Sequence, residues 1–143
     1  MNRGFTLVEV LVVLVILGIT AATVVPALAR ATEDDDLSRA TRDVERVLVT
    51  ARRTALERAA PVTVTVVPES GRYWVHRMDG TALDSGTVAL DGGLRMVSST
   101  RRPRFQFNPL GTADGDSLLL LGAGGARALA IDRWTGGIRV EPR

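Results

Sequence analysis

Apolar and polar residues follow three regimes along this chain. From Phe5 to Leu28 there are 24 residues with a single charge, Glu9. As a helix rising about 1.5 Å per residue, that run spans about 36 Å, enough for the apolar core of a bilayer. A second pattern follows. Leu37, Ala40, Val44, Val47, Leu48, Ala51, Ala55 and Leu56 recur at spacings of three and four, with arginines and carboxylates between them. That spacing predicts an amphipathic helix with one buried stripe. After Pro61 the period drops to two: Val62-Thr63-Val64-Thr65-Val66-Val67 alternates branched residues and predicts a strand.

The boundaries follow from punctuation. Pro26 removes a backbone donor and crowds the preceding turn, so a kink, and not a stop, is expected there. The alternative is two helices broken near residues 30–36, the second opened by Glu33-Asp34-Asp35-Asp36 at its dipole. Pro61 ends helix growth in either case. Glu69-Ser70-Gly71 is a turn, and Arg72 to Arg77 a second strand. Further strands are expected at 86–90, 93–97, 103–107, 117–121, 127–132 and 137–140, separated by Gly, Asp, Pro and Asn. The fold class is therefore α+β. The stripe of residues 37–56 packs on an antiparallel sheet, as layering requires. The chain divides into a four-residue leader (1–4), an apolar helix (5–29), an amphipathic helix (30–60) and a β-rich head (61–143).

Composition narrows the chemistry. The chain has 143 residues, 45% hydrophobic and 24% charged, with net charge +2, which suits one domain with a real core and no strong global field. There is no cysteine, which excludes a disulfide frame and thiolate metal sites. All 18 basic residues are arginine, read as codon bias.

Glu9 raises the functional question. A carboxylate in hydrocarbon costs roughly 2.5–3.5 kcal/mol on insertion scales, and an intramembrane charge calls for a partner. The best partner is a cation at the same depth, such as a free amine on Phe5 if the chain were cut after Gly4. A secretory signal peptide is the rival reading, with Ala27-Leu28-Ala29 imitating a cleavage site. Its apolar region is usually about 7–15 residues, shorter than this run. Arg3, ahead of the run, places that end in the cytoplasm.

Arg3-Gly4-Phe5-Thr6-Leu7-Val8-Glu9 followed by an apolar run resembles the class III signal of type IV pilins and type II secretion pseudopilins. The resemblance implies cleavage between Gly4 and Phe5 by prepilin peptidase, N-methylation of Phe5, and pairing of Glu9 with the Phe5 amine of a neighbouring subunit. Pro26 matches the usual kink proline of these helices. Further along, Leu48 to Arg58 with Pro61-Val62-Thr63-Val64 resembles the helix end and first strand of H-type minor pseudopilins and the related FimT-type minor pilins. Phe105-Gln106-Phe107-Asn108-Pro109-Leu110-Gly111-Thr112 is similar to their F-x-P-x-G segment, and Ala130 to Val140 to their closing hairpin with a T-G turn.

The implied function is that of a minor pseudopilin near the tip of a periplasmic filament for protein export. It would be a single-pass protein of the inner membrane, with its head in the periplasm. Its partners would be other pseudopilins or pilins, prepilin peptidase, the inner-membrane assembly platform and membrane lipid. The tip subunit of the K type typically lacks the glutamate present here, which argues against that role. The alternative is a FimT-like minor pilin that binds DNA for uptake, with Arg101, Arg102, Arg104, Arg139 and Arg143 as candidate contacts. As residues alone, Arg101-Arg102-Pro103-Arg104 reads as a solvated loop, lacking the interleaved aromatics of a nucleic-acid groove.

No enzyme, cofactor or metal site is expected. His76, the only histidine, has no Ser/Asp pattern nearby and reads as a surface residue. Asp114-Gly115-Asp116 has a D-x-D spacing, but an EF-hand loop needs an acid where Gly125 stands, so it reads as a solvated turn. Gly122-Ala123-Gly124-Gly125 lacks a following Lys-Ser/Thr and reads as a hairpin turn, not a phosphate cradle. Tyr73, Trp74 and Trp134 are expected to pack in the core.

Overall fold

The computed structural model describes residues 7–143, the side chains of 23 and 25–34 excepted. The chain divides into two compact units, Met1–Thr32 and Glu33–Arg143. One α-helix, α1, covers Leu7–Glu57. It passes through Pro26 and through 30–36 without interruption, so the acidic run Glu33-Asp34-Asp35-Asp36 lies inside a helix and does not open a new one.

The C-terminal end of α1 has a specific closure. The amide of Ala60 donates to the carbonyl of Ala55 at 3.2 Å and that of Ala59 to Leu56 at 3.4 Å. Ala59 has φ 48°. This pair of bonds with a left-handed residue between them is the Schellman arrangement, in which glycine normally occupies the left-handed position. Pro61 then turns the chain into the first strand.

Within the second unit, Leu37, Ala40, Val44, Leu48, Ala51 and Ala55 are buried, the stripe that the spacing predicts. Leu56 departs from it and is exposed, because it falls one position beyond Ala55 and points past the stripe. Thr41 is buried within the stripe, and its hydroxyl is satisfied by the carbonyl of Leu37 at 2.7 Å. The opposite face carries i,i+3 and i,i+4 pairs, among them Arg39 with Asp35 at 2.6 Å and Arg46 with Asp43 at 3.2 Å.

Nine strands follow: β1 Val62–Val67, β2 Arg72–Arg77, β3 Ala82–Thr87, β4 Arg95–Val97, β5 Arg104–Phe107, β6 Ala113–Gly115, β7 Leu118–Gly122, β8 Gly125–Ile131 and β9 Ile138–Pro142. They form two antiparallel sheets, a division that alternation along the chain does not reveal. The five-stranded sheet has the order β3-β2-β1-β5-β6 and the four-stranded sheet β4-β7-β8-β9. Val62, Val64 and Val66 of β1, Phe105 and Phe107 of β5, Leu118 and Leu120 of β7 and Leu129 of β8 are buried and share one core with the helix stripe.

Three local expectations change. The strand expected at 86–90 is β3, 82–87. Its sequence has no alternation of branched residues; the tight turn Met78-Asp79-Gly80 and pairing to β2 place it. That turn closes with the Arg77 amide donating to Thr81 and the Gly80 amide to Arg77, both at 2.9 Å. Residues 113–115, expected as part of a solvated turn, are the edge strand β6, too short to show a period. Trp134, expected in the core, is 85% exposed on the β8–β9 turn, and Trp74 is 37% exposed because β2 turns it to the outer face. Tyr73 does pack against the core. The β7–β8 hairpin closes at Gly122 and Gly125, as the glycine pattern predicts.

Candidate functional site

Gly4 and Phe5, the expected cleavage and methylation residues, lie outside the described residues. Glu9 is in the first turn of α1 as described, where the helix dipole favours a carboxylate. It is exposed, as is every residue from Leu7 to Ala22. Among them, Leu7, Val10, Leu11, Leu14, Ile16 and Leu17 are large and apolar. Successive residues of a helix point in different directions, so this segment is apolar around its whole circumference, a surface suited to lipid or to other helices, not to water. Thr20 turns its hydroxyl back onto the carbonyl of Ile16 at 2.8 Å and so presents no unsatisfied donor. Among the described residues no helix is long and apolar enough to cross a membrane. Leu7–Ala22 by itself rises about 24 Å.

The head's arginines separate into distinct places. Arg101 and Arg102 are exposed on the loop from β4 to β5, held by buried Pro103, whose carbonyl accepts the Val66 amide at 3.0 Å. Arg104 is the first residue of β5 and faces outward. Arg139 and Arg143 belong to β9 and its end. β4 and β9 are opposite edges of the four-stranded sheet, three strand spacings or about 14 Å apart. The loop bearing Arg101 and Arg102 therefore leaves the edge of this sheet opposite to the one that bears Arg139 and Arg143, while Arg104 stands on the other sheet.

Arg139 is engaged locally, pairing with Asp132 at the start of the β8–β9 turn. The Asp132 carboxylate also accepts the amides of Thr135 at 3.0 Å and Trp134 at 3.1 Å, and the Thr135 hydroxyl at 3.0 Å. These contacts, the Thr135 amide foremost, hold Asp132 below the usual carboxylate range. The turn so fixed touches two other elements. Arg52 of α1 donates to the carbonyl of Thr135 at 2.9 Å, and a side chain at Gly136, φ 64°, would meet the carbonyl of Gly111 at 2.6 Å. The T-G turn itself is legible in the sequence, but its junction with Arg52 and Gly111 is not, since those residues come from distant parts of the chain.

His76 is half-buried on the outer face of β2 opposite Thr63. Asp116 accepts the Arg104 amide at 3.0 Å and the Thr100 hydroxyl at 3.2 Å, and so ties a loop to a strand. Among the described residues there is no group of three or more His, Asp or Glu that could hold a metal ion.

A long N-terminal helix with an apolar end, its other half packed on antiparallel sheets, defines a pilin-like protein. Residues 1–25 match the prokaryotic N-terminal methylation motif, and residues 40–136 match the family described as Type II transport protein GspH. The chain belongs to that GspH family.

Relatives include a fimbrial protein of Pseudomonas aeruginosa, 30% identical over 105 residues and covering 68% of each chain. The fold resembles the type IV minor pilin FimU of Pseudomonas aeruginosa, with TM-score 0.64 at 18% identity, covering 78% of this chain and 92% of that one. It also resembles the minor pseudopilin EpsH from the type 2 secretion system of Vibrio cholerae, with TM-score 0.54 at 12% identity, covering 71% and 92%. The methylation motif and the family imply a membrane-anchored subunit that assembles with other pilin-like subunits.

Proposed function

We propose that this chain is a minor pseudopilin of a type II secretion system. Prepilin peptidase cuts between Gly4 and Phe5, and Phe5 is methylated. The subunit stands in the inner membrane with its head in the periplasm and enters the tip region of a short filament that drives protein export. It catalyses nothing itself. The observation that carries this reading is the exposed Glu9 at the start of an all-round apolar helix, in a chain of the GspH family.

The mechanism follows from the cost of that charge. A carboxylate in hydrocarbon is costly, and a cation beside it lowers that cost. As helices bundle, Glu9 pairs with the Phe5 amine of the adjacent subunit, which offsets the desolvation of both groups. A pair of this kind specifies register more than it stabilises.

Glu9→Ala should leave insertion and cleavage intact and abolish incorporation into the filament, read by crosslinking to the other subunits in membranes. Normal incorporation of that variant would refute the role of Glu9. Gly4→Leu should leave the chain uncut, visible as a heavier species by mass spectrometry.

The FimU likeness and the fimbrial relative favour a second reading, a minor subunit of a type IV pilus. Deletion of the gene separates the two: loss of exoprotein secretion supports the first, loss of surface pili the second. DNA uptake as the role of such a pilin requires head binding that falls steeply with salt and depends on Arg101, Arg102 and Arg104.

A further inference from the structure

The outer face of the five-stranded sheet carries a recess of about 660 Å³. Its floor is set by strand register. Thr63 of β1 lies between His76 of β2 and Gln106 of β5, and the next outward residue of β5 is Arg104, opposite Thr65. Arg77 also lines the recess, but it lies opposite the buried Val62, and its Nε, without a hydrogen-bond partner, has no exposed surface to offer a ligand. Among the described residues the Arg104 guanidinium and the His76 imidazole have no side-chain partner. The floor therefore presents several donors: a guanidinium, an imidazole, a hydroxyl and an amide. An incoming carboxylate would accept from several of them at once.

The surroundings discriminate among anions. Asp114 and Asp116 line the recess, Asp114 paired with Arg133 at 3.2 Å, and Asp79 pairs with Arg77 at 3.3 Å. These ion pairs engage Arg133 and Arg77, so Arg104 is the lining guanidinium left for a single incoming charge, with too little net positive charge for a chain of phosphates. The rim also exposes an apolar group. Met78, which lines the recess, is 80% exposed. Arg and Met are residue types that protein interfaces favour.

We propose that this recess is a docking site for a protein partner that inserts one carboxylate side chain between Arg104, His76 and Thr63, with an apolar neighbour covering Met78. This docking uses neither Phe5 nor Glu9, so it stands or falls separately from assembly through the helix.

The head, residues 33–143, is a compact unit with its own core and suits amide and arginine Nε NMR at low salt. The probes are acetyl-Leu-Glu-Leu-amide, its Gln counterpart and a short DNA duplex. The Glu peptide should shift Thr63, His76 and Arg104. The Gln peptide should bind about tenfold more weakly, as should the Glu peptide to Arg104→Gln, the scale of a charge-assisted contact. The Arg101→Gln/Arg102→Gln variant should bind the Glu peptide like the parent. Equal binding of the Glu and Gln peptides, no shifts at these residues, or an Arg104-dependent response to DNA alone would overturn the proposal.

Discussion

The guanidinium of Arg52 donates to the carbonyl of Thr135 at 2.9 Å, joining the last third of the helix to the final hairpin turn 83 residues further on. The bond lies where the helix, the β8–β9 turn and the Gly111 loop meet, so it holds the four-stranded sheet's far turn against the helix. Arg52→Gln shortens the side chain and removes the charged donor. A hydrogen bond of this kind at a partly exposed site is worth about 1 kcal/mol, and urea unfolding of the head should show a loss of that size with an unchanged slope.

Ala59 bears the cost of the helix end. Its φ of 48° is strained for any residue with a Cβ, by about 1–2 kcal/mol. Glycine removes the strain but gives the unfolded chain more freedom to lose. Ala59→Gly should therefore stabilise the head by about 0.5–1 kcal/mol, measured as a higher urea midpoint. A destabilised variant would contradict the Schellman closure described here.

Gly86 faces Tyr73 across β2 and β3. A Cβ at Gly86 would come 2.6 Å from the Tyr73 hydroxyl oxygen. Gly86→Ala should displace the ring and cost about 1–2 kcal/mol as an overpacked contact. In a Tyr73→Ala background the same change should cost almost nothing, and the double-mutant cycle gives the coupling directly.

Asp132 makes the β8–β9 turn pH-sensitive. Its folded pKa is lowered, chiefly by the Thr135 amide, so the unfolded chain binds a proton at higher pH than the folded one. Its contribution is fully present above the unfolded carboxylate value of about 3.9 and is lost as pH falls through the lower folded value. Asp132→Asn should lower the melting temperature at pH 6, and the gap from the parent should close below about pH 4.

The helix stripe, the first two strands and the Gly122–Gly125 hairpin could all be read from local pattern, because a strong period or a glycine pair determines each. Ala113–Gly115 and Ala82–Thr87 could not. Three residues carry no period, and Ala-Leu-Asp-Ser-Gly-Thr is a strand only because β2 supplies its hydrogen bonds. Of the candidate site, Gly4, Phe5 and Glu9 fall within one six-residue stretch, so a local motif is enough to propose them. The recess floor is not legible in this way, since Thr63, His76 and Arg104 come from three strands.

Sequence alone determined the apolar run with its single carboxylate, the amphipathic stripe behind it and the alternation after Pro61, since these depend on periods that neighbours along the chain already express. Tertiary structure alone decided that the strands part into two sheets, that Trp134 stands in solvent, that Arg139 and Arg143 lie away from Arg101 and Arg102, and that Arg52 meets Thr135. Those outcomes depend on which strands pair and which side chains meet across long loops. Such contacts are set by burial and hydrogen bonding in the assembled core, which no local stretch contains.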